Sequence, residues 1–151
     1  MDPVEIGRAN PDDAPELLDA YEWLFAAPGS RPPQWDPQAA AERLRRAASA
    51  EDSVVLVARA EGAIVGICTT YLDFESVRFG RRAWVEDLAV HSERRSLGIG
   101  KRLLDAAKDW AREHGATHLE LDSGHARTDA HRFYERERPS WSSISFGWEL
   151  S

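Results

Sequence analysis

An α/β (α+β) fold, with a mixed, mainly antiparallel central sheet and helices on both faces, is the class this sequence predicts. Two observations predict it. Apolar residues recur with period two in some stretches and at three- and four-residue steps in others. These stretches follow the order strand, two helices, three antiparallel strands, helix, strand, helix, strand, which implies a mixed sheet covered by helices.

Each element has its own local reason. Val4, Ile6 and Ala9 alternate with polar neighbours as a short strand does. Asn10-Pro11-Asp12-Asp13 supplies turn and cap chemistry for a helix whose stripe is Ala14, Leu17, Leu18, Tyr21, Leu24 and Phe25. Pro28-Gly29-Ser30-Arg31-Pro32-Pro33 breaks that helix. Asp36 then reads as an N-cap with Pro37 at the first helical position, and Ala40, Leu44 and Ala47 carry a second helix to about Ala50. Residues 54–59 and 63–71 flank Glu61-Gly62 and read as an antiparallel hairpin. Residues 72–82 read as strand ends joined by a turn, and 83–90 as the next strand. The stretch 99–114 is the clearest helix, with Leu103, Leu104, Ala107, Trp110 and Ala111 on one face and Gly115 as its stop. A strand over 117–122, a helix over 128–137 and a final strand over 142–150 complete the series.

The 151 residues suit one domain, 1–151, with a core of its own. The balance of 42% hydrophobic and 30% charged residues excludes a disordered chain, and no apolar run is long enough for a membrane partner. The start of the chain lacks a basic, then apolar, leader, so a cytoplasmic location is expected. The one cysteine, Cys68, agrees with a reducing compartment and reads as a small apolar filler in a strand. A net charge of −7 argues against a nucleic-acid partner, because phosphate binding needs a basic face. His118, His125, His131 and Asp122 match no standard metal spacing, so no metal is expected.

Arg95-Ser96-Leu97-Gly98-Ile99-Gly100 stands between a strand and a strong amphipathic helix. The first turn of a helix leaves N–H groups without partners and concentrates partial positive charge there. Glycines at 98 and 100 let an anion approach these donors, and Arg94, Arg95, Lys101 and Arg102 add charge. A P-loop needs glycine at Arg95 and serine or threonine at Arg102, and a dinucleotide fingerprint needs glycine at Leu103.

Arg95-x-x-Gly98-x-Gly100 after Leu88-Ala89-Val90 resembles the coenzyme-A pyrophosphate loop of the GNAT acetyltransferase superfamily. Ala130-His131-Arg132-Phe133-Tyr134-Glu135-Arg136 resembles that family's late helix, and Ile6 to Ala14 its opening strand and cap. Short segments, Val85 to Val90 with Leu121-Asp122-Ser123 and Asp129 to Tyr134, look closest to glucosamine-6-phosphate and aminoalkylphosphonate acetyltransferases respectively.

The resemblance implies a GNAT-like fold and acetyl transfer from acetyl-CoA, as cosubstrate, to the primary amine of a small molecule. It implies that backbone groups of Leu88, Ala89 and Val90 pair with the pantetheine arm. Arg95, Ser96, Leu97, Gly98, Ile99, Gly100 and Lys101 hold the pyrophosphate, with Ala130 and Phe133 at the cofactor and Tyr134 beside the thioester sulfur. The chemistry needs a base for the amine and an acid for the departing thiolate. Glu86 is the first candidate base, Asp87 the second, and Tyr134 the acid; period-two alternation puts Glu86 and Asp87 on opposite faces, so one of them lines the cleft. Asp122 either binds the amine or caps a turn. Trp35, in a proline-rich loop, reads as a substrate-pocket residue, and Tyr21 as core. A phosphorylated amine requires Arg78, Arg81, Arg82 or Arg132 to face it.

The sequence departs from the family pattern in three places. Arg127 stands where asparagine is frequent, Arg138-Pro139 replaces a glycine and an aromatic, and one terminal strand is present where many relatives have two. A lone last strand leaves a bare edge, so pairing with a second subunit in a homodimer is expected. Acetylation of protein lysine or N-terminal amines, and a non-catalytic acyl-coenzyme-A sensor, are the alternative functions.

Overall fold

A computed structural model describes residues 3–150. Glu61 and Gly62 both take positive φ, 52° and 83°, the two-residue turn whose twist matches the flanking strands. They close strand β2 (Ser53–Ala60) onto β3 (Ala63–Ser76). Strand β1 (Val4–Arg8) adds antiparallel to β2, and β4 (Gly80–Val90) antiparallel to β3. Among the described residues, only β5 (His118–Glu120) runs parallel to its neighbour, β4, and the order is β1-β2-β3-β4-β5. The expected strand over 117–122 is thus confined to three residues.

Two helices cover one face of this sheet. The Asn10 amide donates to Asp13 Oδ2 at 2.9 Å and the Asp13 amide to the Asn10 carbonyl at 3.0 Å, capping a 3-10 turn, Pro11–Asp13, that leads into α1 (Ala14–Phe25). Asp36 accepts from the amides of Gln38 and Ala39 and starts α2 (Pro37–Ser49). Leu17 and Ala20 of α1 and Leu44 of α2 pack with Val55, Val57, Ile67 and Ala89 of the sheet. Helix α3 (Ile99–Glu113) covers the other face. It approaches so closely that a methyl group on Gly66 would meet Leu103 Cδ1 at 2.9 Å and Ile99 Cγ2 at 3.1 Å. Leu103 is fully buried, and truncating such a leucine costs about 2–5 kcal/mol. Cys68 is also fully buried in β3, and burial pushes its thiol up to about 12, so it is the inert filler expected.

The chain divides into two compact units, one reaching Leu121 and one starting at Asp122. The second unit contains α4 (Thr128–Arg136). This helix ends in order without the family's glycine, because Arg138 itself takes the left-handed conformation, with φ 57°. Its amide donates to the carbonyl of Glu135 at 3.1 Å, and Pro139 follows.

The final strand expected over 142–150 does not form. Residues 141–150 have no regular secondary structure and are exposed throughout. Ile144, Phe146, Trp148 and Leu150 show the alternation of a strand, yet they are 72%, 74%, 81% and 95% exposed. A strand needs a ladder of partners to satisfy its backbone, and none is present for this segment among the described residues. No helix among the described residues is long and apolar enough to cross a membrane.

Candidate active site

The register of β4 on β3 breaks at one residue. Asp87 lies opposite Thr69 and Val85 opposite Thr70, so Glu86 is an extra residue, a β-bulge. Two consequences follow from the faces of the sheet. Val90 pairs with Gly66, which faces α3, whereas Ala89 belongs to the core under α1 and α2. Asp87 shares the face of Ala89, and the bulge turns Glu86 to that side as well. Both carboxylates line one cavity of about 310 Å³, which corrects the expectation that alternation separates them.

Asp87 is held from two sides. Tyr21 of α1 donates its phenol hydrogen to Asp87 Oδ2 at 2.6 Å, and Thr69 Oγ1 donates to the same oxygen at 3.1 Å while accepting from the Asp87 amide at 3.0 Å. Burial, and next the negative charge of Asp87, push the Tyr21 phenol far above its ordinary value, so it remains a donor. Tyr21 therefore does more than fill the core, as its helical spacing suggested. Trp35 stacks on Tyr21 with ring centroids 5.9 Å apart and meets Phe25 edge-on at 4.8 Å, and it lines the same cavity. The structure thus brings Glu86, Asp87 and Trp35 together.

The other edge of β4 is partly bare. β5 pairs only with Arg82 to Trp84, so from Val85 to Val90 the strand has β3 alone as partner among the described strands. Leu88, Ala89 and Val90 lie on this stretch, which leads through a short 3-10 turn, Ser92–Arg94, to the start of α3. There Ser96 and Gly98 take left-handed conformations, φ 65° and 79°, the backbone geometry from which anion-binding concavities are built. Gly98 is the N-cap of α3, with no side chain on the cap and no acid in the first turn. The donor set fits a diphosphate joined to an extended arm.

Comparison with known proteins agrees with this geometry. The acetyltransferase (GNAT) family model matches residues 15–138. The chain belongs to this family. The acetyltransferase is 34% identical over 121 residues to the uncharacterized N-acetyltransferase YhdJ of Bacillus subtilis, covering 79% of the chain and 84% of that relative. It is also 34% identical to the aminoalkylphosphonate N-acetyltransferase of Salmonella typhimurium, over 56% of the chain and 55% of the relative. Among solved structures, the aminoglycoside N-acetyltransferase AAC(6')-Iy in complex with CoA shares the fold, with a TM-score of 0.85, 14% identity and coverage of 99% and 96%.

In the second unit of the acetyltransferase, Ala130, Phe133 and Tyr134 lie on α4, all half-buried, with the Phe133 and Tyr134 rings 5.2 Å apart. Asp122 is exposed, lies beyond the end of β5, and accepts from Ser145 Oγ at 3.2 Å. Of the arginines offered for a phosphorylated amine, Arg82 pairs with Asp73 and Glu120, Arg78 lies over Phe79, and Arg132 pairs with Asp129. Arg81 lines a depression at the β3–β4 hairpin instead. Thr69, Tyr71 and Arg43 line the carboxylate cavity and escaped the sequence reading, and Tyr21, read there as core, lines it too. No motif signals them, because Tyr21 meets Asp87 across 66 residues of chain.

Proposed function

We propose that this acetyltransferase moves an acetyl group from acetyl-CoA to the primary amine of a small molecule, by direct attack in a ternary complex, and that 1–151 works as a single domain. The observation that carries the reading is the bulge at Glu86, which gives one cavity two carboxylates on the strand whose free edge leads to the uncapped start of α3. The amides from Arg95 to Lys101 take the pyrophosphate, the edge at Leu88, Ala89 and Val90 away from β3 pairs with the pantetheine arm, and Ala130 and Phe133 flank it. Bound in this way, acetyl-CoA supplies an activated thioester.

Glu86 accepts the proton of the acceptor amine, directly or through a water, since its carboxylate is exposed and open to proton exchange with solvent. Asp87, fixed by Tyr21 and Thr69, orients the amine, with Asp122 as a further contact and Trp35 as a wall. Tyr134 Oη gives a proton to the departing sulfur. Neighbours named for aminoglycosides and aminoalkylphosphonates support a small-molecule amine. Release of free thiol from acetyl-CoA, screened over amines, tests the reading. Tyr134→Phe is expected to lower kcat by about a hundredfold. Calorimetric uptake of coenzyme A with no turnover on any amine is the opposite outcome and fits a sensor.

We further infer a cytoplasmic homodimer. The exposed alternation of Ile144, Phe146, Trp148 and Leu150 supports it, because an amphipathic strand without a ladder gains both hydrogen bonds and apolar burial from a second copy.

A further inference from the structure

The groups around the cavity beside the bulge are of three kinds. Tyr21, Trp35, Leu44, Ala47 and Tyr71 give it predominantly apolar walls. Most of its hydroxyl groups are already hydrogen-bonded within the protein. Tyr21 and Thr69 donate to Asp87 Oδ2, Ser53 Oγ donates to the carbonyl of Ala47 at 2.8 Å, and Thr70 Oγ1 pairs with Cys68 Sγ at 3.4 Å. The charged groups are Glu86 and Asp87 from β4 and Arg43 from α2. Arg43 is exposed and makes no hydrogen bond or ion pair among the described residues.

This inventory selects an acceptor. A polar group buried against such walls without a partner costs about 1–3 kcal/mol, so a polyhydroxylated amine is penalised several times over while an apolar body is not. The volume of about 310 Å³ equals roughly ten waters, room for one ring and its substituents. A guanidinium without an internal partner is the group that pairs with an oxyanion, in a two-pronged geometry an ammonium cannot copy.

We propose that the acceptor is a compact amphoteric amine, an apolar or aromatic body carrying both the reactive amine and an oxyanion, with Arg43 taking the oxyanion and Trp35 the apolar body. This rests on the cavity being the acceptor site of the proposed acetyl transfer, and it narrows the substrate class within that reading.

The test compares kcat/KM, by thiol release, for phenylalanine, phenylalaninamide and glucosamine, in the parent protein and in Arg43→Gln. Phenylalanine is expected to exceed its amide by about tenfold or more, the value of one charge-assisted pair. Glucosamine is expected about a hundredfold below phenylalanine. In Arg43→Gln the acid-over-amide ratio falls to near unity, and because Arg43 is exposed the variant folds, which coenzyme-A uptake checks. Faster turnover of glucosamine, or a ratio unmoved by Arg43→Gln, overturns the assignment while leaving acetyl transfer intact. No turnover on any amine, with cofactor bound, overturns both.

Discussion

The stretches 83–90 and 142–150 carry similar alternation, and only the first is a strand. Residues 83–90 have β3 beside them, so the backbone groups on that side find partners and the apolar side chains find α3 or the α1–α2 core. Residues 142–150 have the pattern without a ladder, and their apolar side chains stay in solvent. Period-two alternation therefore reports an amphipathic segment and not a hydrogen-bonded one. The converse also holds, since β4 is a strand yet breaks alternation at Glu86, where the candidate chemistry sits.

The sharpest way to test the first half of this comparison is to change the bulge residue. Glu86→Gln keeps the bulge and the side-chain volume and removes the base, so kcat is expected to fall by about a hundredfold or more in the thiol-release assay. Asp87→Asn is expected to act mainly on KM, since the amide oxygen can still accept from Tyr21 and Thr69. A larger loss in kcat for Asp87→Asn than for Glu86→Gln would reverse their roles.

The other half is tested by Phe146→Asp together with Trp148→Asp. Light scattering is expected to give twice the chain mass for the parent protein and the chain mass for the variant. A monomeric parent at micromolar concentration removes the dimer. The smallest effect expected is at the end of α4. Arg138→Gly relieves a left-handed arginine and is expected to stabilise by about 1 kcal/mol, raising Tm by about 2–4 °C.

Acid stability provides a check away from the site. Hydrogen bonds from Arg82 hold the Asp73 carboxyl below its usual range. A depressed carboxylate adds stability above its unfolded pKa, near 3.9, and that contribution is lost as pH falls through the folded value. The pair is partly exposed, so the loss is expected to be no more than about 1 kcal/mol, and Asp73→Asn should flatten the acid limb of a pH-dependent denaturation curve.

What was legible in the sequence was local. Asn10 and Asp36-Pro37 announced two helix starts, Glu61-Gly62 a hairpin and Gly98 the start of α3, because each acts through its own backbone. The bulge was not legible, since it is a mismatch in register between two strands and neither strand alone contains it. The grip of Tyr21 on Asp87 was hidden for the same reason, as was Arg43, one arginine among several on a solvated helix. The missing last strand shows the limit from the other side, with the pattern present and the neighbour absent.

The sealed position of Cys68 has a practical corollary for the chemistry. With its only sulfhydryl at 0% exposure and protonated at neutral pH, the protein presents nothing for a chromogenic disulfide to react with. Colour that develops on mixing the folded protein with such a dye, acetyl-CoA and an amine therefore counts liberated coenzyme and not the catalyst.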